Sequence, residues 1–267
     1  MTRNLNIVVC MKQVPDPEAP PSAFLIDSQN LSVSASGVPP VISAYDENAL
    51  ELAIRLKEKS GGKITILSVG KNISRAVIFK AAASGADEIL LVDDPELERN
   101  VASGSTTAKI IAAAIQKRGA FDLIITGRQA SDTNAGIVGI GIAHYLGIPC
   151  ITLARHAQAE EGDITVERVL PSGYEVLKTA MPALLTISYQ VGALRYPTLI
   201  SVRASKDKPM TVMTLADLGL DSEKACPLTM HRLEVPDQKR SVMMIGGKDS
   251  RDAGAKLAIQ LRQEKVL

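Results

Sequence analysis

Tryptophan is absent from the 267 residues, and only three phenylalanines and five tyrosines are present, so the chain offers few flat surfaces on which bases could stack. An excess of either charge is missing too. The 30 Lys and Arg against 29 Asp and Glu leave a net +1, which gathers no polyanion, and nucleic acid is not expected as a partner. Cysteine is scarce: Cys10, Cys150 and Cys226 are widely spaced and outside any C-x-x-C pair. That pattern argues against a zinc knuckle and fits a reducing compartment, with the three thiols acting as small buried hydrophobes. No run approaches 18 apolar residues, and Met1 to Leu5 lead directly into a short strand without an apolar leader. A soluble, cytoplasmic protein with no membrane insertion is expected.

Catalytic constellations are equally lacking. His144, His156 and His231 stand apart, with no H-x-x-x-H pair and no carboxylate cluster at metal-ligand spacing, so no metal site is expected. There is no G-x-S-x-G elbow, and Gly104-Ser105 falls at a helix start rather than on a strained turn, which removes a serine hydrolase. Asp16 and Asp46 could act as bases, but a turn and a helix cap account for them. The composition suits holding a ligand better than moving protons.

What is present is alternation. Asn6 to Met11, Ile64 to Gly70, Glu88 to Val92 and Phe121 to Ile125 are short apolar runs of the kind that central parallel strands require. Between them lie helical patterns: one led by Ser43 or Asp46, with Glu47, Glu51, Arg55 and Glu58 on its outer face; one capped by Ser74; and one beginning at Ser103 or Ser105. The order specifies a doubly wound, mostly parallel, Rossmann-like α/β sheet. Right-handed crossovers place the loops after Met11, Leu67 and Ile125 on one edge, where a shared ligand could bridge them. Past Pro149 the pattern changes. Ile164 to Leu170, Tyr174 to Lys178 and Ala183 to Ile187 are close-spaced strands expected as antiparallel additions. A short exposed helix with a basic end is expected within Arg195 to Lys208. A strand-like stretch from Thr229 to Val235, a Gly246-Gly247 linker and a final helix from Ser250 to Glu264 complete the chain. The expected division is a nucleotide-binding α/β domain over 1–190 and a docking and C-terminal segment over 191–267.

The stretch Thr126 to Gly139 stands at the carboxyl end of a strand and the amino end of a helix, where open α/β sheets bind ligands. Gly127, Gly136 and Gly139 let backbone come close to a bulky anion, and the next helix offers unpaired N–H groups. A nucleotide phosphate would suit it, although the stretch is neither a Walker loop nor a G-x-G-x-x-G turn, and an ordinary polar loop would read similarly.

A resemblance sharpens these readings. Cys10-Met11-Lys12-Gln13-Val14-Pro15-Asp16, Ile42-Ser43-Ala44-Tyr45-Asp46 leading into Ala49 to Lys57, and Gly127-Arg128-Gln129-Ala130-Ser131-Asp132 resemble the β subunits of electron transfer flavoproteins. Val166-Glu167-Arg168, Met181-Pro182-Ala183, Arg195-Tyr196-Pro197-Thr198-Leu199 and Leu215 to Leu220 continue the likeness in the same order over nearly the whole chain. The resemblance implies an adenine-nucleotide α-hydrolase-like fold and a heterodimer with a larger α subunit. It implies electron passage from a flavin dehydrogenase of acyl-CoA dehydrogenase type through FAD, with electron bifurcation in some members, and no substrate chemistry in this subunit itself. The second nucleotide would be FAD, to which the motifs lean, or AMP. Its pocket would comprise Cys10, Ser43, Ala44, Tyr45, Asp46, Val69, Gly127, Arg128, Gln129, Ala130, Ser131, Asp132, Thr133, Asn134, Ala135, Gly136, Ile137 and Val138. Dehydrogenase docking would fall to Leu199 as apolar anchor, with Tyr196 and Arg203 beside it. The family pattern departs here at Ser43, Ile137 and Ile140, where it usually has Asn or Asp, Gln, and Pro; losing the amide at Ile137 removes a hydrogen bond worth about 1 kcal/mol. The related alternative is an ATP-binding or adenylating enzyme or sensor of the same α/β class.

Overall fold

The structure is a computed structural model that describes residues 4–97, 103–221, 231–235 and 242–267. Two compact units are present, Met1–Leu233 and Glu234–Leu267. Cys226 and the start of the expected Thr229 to Val235 strand lie outside the described residues.

Unit one is built on a nine-stranded sheet. Its central strands, β1 (Leu5–Cys10), β6 (Gly62–Gly70), β7 (Glu88–Asp93) and β8 (Leu123–Gly127), are mostly apolar in their middles because both faces are covered there. β1 pairs in parallel with β6 on one side and β8 on the other, and β7 pairs in parallel with β6. Helices α1 (Ala44–Ser60), α2 (Arg75–Ser84) and α3 (Gly104–Arg118) connect these strands, and α4 (Val138–Leu146) follows β8. Two apolar clusters result, one on each face: Ile7, Val9, Leu50 and Ile66 on the α1 and α2 side, and Val8, Leu67, Ile111 and Ile124 on the α3 and α4 side. Between β1 and α1 the chain makes an excursion containing the pairs β2 (Gln13–Val14) with β5 (Val41–Ile42) and β3 (Phe24–Asp27) with β4 (Ser32–Ala35).

The second half departs from expectation at two strands. The sequence reading passed over β9 (Cys150–Glu160), an eleven-residue strand. Its outer half is polar because it pairs with β10 (Asp163–Leu170) in an arm continued by β11 (Gly173–Ala180). The stretch Ala183–Ile187, expected as an antiparallel addition, is instead β12, which runs parallel to both β8 and β9 and lies between them. All five of its residues are buried, so pairing on both sides, not the short connection, decides its direction. The edge beyond β7 is β13 (Met210–Met213), also parallel, which follows helix α5 (Leu199–Ala204). The compact body therefore extends past residue 190. The full order is β11-β10-β9-β12-β8-β1-β6-β7-β13.

In unit two, helix α6 (Ser250–Gln263) starts at Asp249, whose carboxylate accepts the Asp252 N–H at 2.8 Å. It has no buried residue.

Candidate functional site

The sheet reverses its direction of winding between β1 and β8, and parallel sheets leave a crevice at that place, beyond the strand ends. A cleft lies there, enclosing about 880 Å³ of empty volume, part of it open to solvent. Cys10, Met11 and Lys12 enter it from the end of β1, Val69 from β6, and Gly104, Thr107 and Ile111 from α3. Asp46 enters it from α1, and the rest of the wall is the β8 exit and the start of α4.

Glycine is required at two places in this wall. A Cβ on Gly127 would stand 2.5 Å from Asp46 Oδ1 and 2.8 Å from the Tyr45 backbone, and one on Gly104 would stand 2.5 Å from Ile137 Cγ1. The Tyr45 backbone cannot retreat, so Gly127 permits the close approach of strand end and helix, whereas at Gly104 the half-exposed Ile137 side chain would have to shift. Beyond Gly127 the loop turns through positive φ at Asn134 and Gly136. It ends at Ile137, the residue before α4, which cannot cap; the first-turn N–H groups of α4 thus have no capping side chain and favour an anion.

The amino end of α1 braces the loop. Ser43 and Asp46 were both candidates to cap that helix, but neither side chain does so. Ser43 Oγ accepts the Ser131 N–H at 3.2 Å. Asp46 accepts the Lys12 N–H at 2.8 Å and the Gly127 N–H at 3.1 Å, tying the exits of β1 and β8 together. Burial pushes the Asp46 carboxyl up to about 7, against the pull of those two N–H groups and of the Lys12 charge. Burial also holds the Cys10 thiol well above its ordinary range, and the Asp46 charge adds to this, so Cys10 is a neutral thiol.

Arg128 lies over the Tyr45 ring at 4.8 Å. Its Nε is buried without a hydrogen-bond partner, and so is Ser131 Oγ. Lys12 Nζ meets Asp132 at 2.7 Å, and Gln129 Nε2 donates to Asn134 Oδ1 at 2.8 Å.

Twelve of the expected pocket residues therefore meet at the cleft: Cys10, Asp46, Val69, the run from Gly127 to Ala130, Thr133, and the run from Ala135 to Val138. Ser43, Tyr45, Ser131, Asp132 and Asn134 stand behind it as the contacts just described, and Ala44 opens α1. Thr126 and Gly139, the ends of the expected loop stretch, line the cleft beside the expected pocket residues, and Lys12 adds a cation. Gly104, Thr107 and Ile111 were not foreseen; their one sequence signal is a small-residue helix start at Gly104-Ser105. Leu199, Tyr196 and Arg203 do not line the cleft. Tyr196 is 97 % exposed and Leu199 81 %, on the segment that forms α5.

These features define a doubly wound α/β protein with a cleft at the switch point of its sheet. Residues 30–218 match the electron transfer flavoprotein domain. The chain is 34 % identical to the electron transfer flavoprotein subunit beta of Thermoanaerobacterium thermosaccharolyticum, over 98 % of its own length and 100 % of that protein's. It is 30 % identical to the subunit beta of Bacillus subtilis and 29 % to the caffeyl-CoA reductase-Etf complex subunit CarD of Acetobacterium woodii, again over 98 % of this chain and 100 % of each relative. The chain belongs to the electron transfer flavoprotein family, among its β subunits, and its role is electron transfer. No helix among the described residues is long and apolar enough to cross a membrane.

Proposed function

We propose that this chain is the nucleotide-holding half of a heterodimer with an electron transfer flavoprotein α subunit, carrying electrons between a flavin dehydrogenase of acyl-CoA dehydrogenase type and a redox partner in the cytoplasm. The observation that carries the nucleotide is the buried, unpartnered Arg128 Nε, on a residue that lines the cleft at the strand ends. A buried donor without a partner costs about 1–3 kcal/mol, and a phosphate or ribose oxygen would satisfy it. The uncapped start of α4 adds N–H groups of the right polarity. The residues present therefore fit an adenine nucleotide.

FAD is the favoured occupant and AMP the alternative. A relative is named as part of a caffeyl-CoA reductase-Etf complex, which is in keeping with a flavin on this side and with bifurcation. A bound flavin supplies one- and two-electron redox chemistry, whereas AMP supplies none. The chain's own part is to hold the nucleotide between the β1 and β8 exits, with Asp46 and Gly127 fixing the wall and Lys12 and Arg128 supplying cations. Extraction of the purified complex tests this: two FAD per heterodimer are expected. One FAD with one AMP would convert the reading to a simple carrier, and a complex without any flavin would refute it.

Docking of the dehydrogenase is assigned to the exposed Leu199 and Tyr196, with Arg203 as rim charge. Leu199→Ala should slow electron transfer from the dehydrogenase without releasing nucleotide; unchanged transfer kinetics would remove the assignment.

A further inference from the structure

Glu51 faces outward on a simple reading of α1, yet its side chain is only 5 % exposed. It is buried because it is fully engaged. It accepts the Arg195 backbone N–H at 3.1 Å, Arg195 Nε at 3.1 Å, Arg195 Nη2 at 3.0 Å and Arg55 Nε at 2.9 Å. Burial alone would raise the Glu51 carboxyl, but the Arg195 and Arg55 bonds outweigh it and hold the group below its ordinary range. The other end of the Arg195 guanidinium is taken by Glu58, one to two turns along the same helix. Two further α1 side chains hold the preceding residues: Arg55 Nη1 donates to the Val191 carbonyl at 3.0 Å and Asn48 Nδ2 to the Gly192 carbonyl at 2.6 Å. The side-chain hydrogen bonds that hold the segment 191–195 thus come from a single helix, while Val191 and Leu194 pack on the core.

Only three residues separate this anchor from Leu199. Pro197 is fixed in φ by its ring, and the Thr198 hydroxyl accepts the Ser201 N–H at 3.1 Å, which starts α5. Tyr196, Leu199 and Ile200 are 97 %, 81 % and 81 % exposed, so their side chains are not held by packing of their own, although α5 as a whole lies against α2. The same helix, at its other end, holds the cleft through Ser43, Tyr45 and Asp46.

We infer that Arg195, gripped by Glu51 and Glu58, is the positioning residue at the amino end of the docking segment, and that α1 serves as a common strut for that end of the segment and for the nucleotide cleft. The inference rests on the docking reading above for its function, but its structural half stands separately. Arg195 touches neither nucleotide nor dehydrogenase; it acts by limiting the directions in which Leu199 is presented. A looser anchor costs encounter productivity and leaves the transfer step within the docked complex intact.

The test uses the assembled complex with Arg195→Gln, Arg195→Lys and Leu199→Ala variants, and an acyl-CoA dehydrogenase from the same organism as electron donor. Arg195→Gln should raise KM for the dehydrogenase about tenfold, equivalent to about 1.4 kcal/mol, with kcat within about twofold of wild type. Its amides at 196–204 should exchange hydrogen about tenfold faster, while those of β1 and β8 keep wild-type protection. Arg195→Lys, which keeps the charge and loses the fork, should fall between the two. Nucleotide content should stay at the wild-type level. If Leu199→Ala raises KM and Arg195→Gln does not, the anchor role is overturned while docking stands. If neither variant moves KM, docking by this segment is overturned, and the exchange data alone decide the anchor: wild-type protection at 196–204 in Arg195→Gln would sink it, and faster exchange would keep it. Should Arg195→Gln fail to assemble, Arg195→Lys supplies the same comparison.

Discussion

Asp46→Asn offers a direct measure of how the cleft is held. In the native chain the carboxyl is 7 % exposed and receives N–H groups from Lys12 and Gly127 on its two oxygens. Burial, the largest influence on it, moves it from 3.8 to about 7 in the folded chain. A folded-state pKa above the unfolded one means that the folded chain binds more protons in between. The stability linked to Asp46 is then fully present below about pH 4 and drains as pH rises through about 7. The rise from 3.8 to about 7 corresponds to roughly 4 kcal/mol over that window. Asparagine cannot titrate, and its NH₂ must face one of the two N–H donors, which costs about 1–3 kcal/mol at every pH. Urea unfolding at pH 4.5 and pH 7.5 reads both contributions. Wild type should be the more stable at pH 4.5, and its advantage should close or reverse at pH 7.5. An advantage that grows with pH would show that the two N–H groups and the Lys12 charge govern the carboxyl, and would refute the reasoning.

Gly127→Ala should cost about 1–3 kcal/mol, because its Cβ meets Asp46 Oδ1 at 2.5 Å and the Tyr45 backbone at 2.8 Å; unchanged urea midpoints would show that α1 can retreat. The same variant should purify with less nucleotide, read by extraction. Cys10, buried and with its thiol held well up, should resist iodoacetamide at pH 7.5 until urea unfolds the chain; peptide mapping that finds Cys10 alkylated in the folded protein would contradict its burial. Lys208→Met should lower stability by about 1 kcal/mol, since Nζ donates to the Ala82 carbonyl at 2.7 Å and to the Ala86 carbonyl at the end of α2; thermal unfolding measures the loss.

The central strands could be read from the sequence because a strand covered on both faces must be apolar along its length, and Asn6 to Met11 or Phe121 to Ile125 have no other stable setting. The loop from Gly127 to Val138 could be read because small residues cluster where a strand meets a helix. What escaped depends on distant partners. Glu51 is a charged residue on a surface helix until Arg195, 144 positions away, covers it. The capping role expected of Asp46 gave way because two loop N–H groups compete for the same carboxylate. β9 was hidden by its polar outer half, and the direction of β12 by the short connection before it; tertiary pairing settles both.

The position of β12 bears on how the polypeptide matures. Until residues 183–187 emerge from the ribosome, β8 has β1 on one side and bare N–H and carbonyl groups on the other. The cleft loop, complete at Val138, is thus translated 45 positions before Ala183 opens the strand that closes its supporting edge, an interval filled by α4 and the arm β9 to β11. A nascent chain stalled inside that arm would carry the whole loop on a half-finished sheet, open to mispairing with a neighbouring chain.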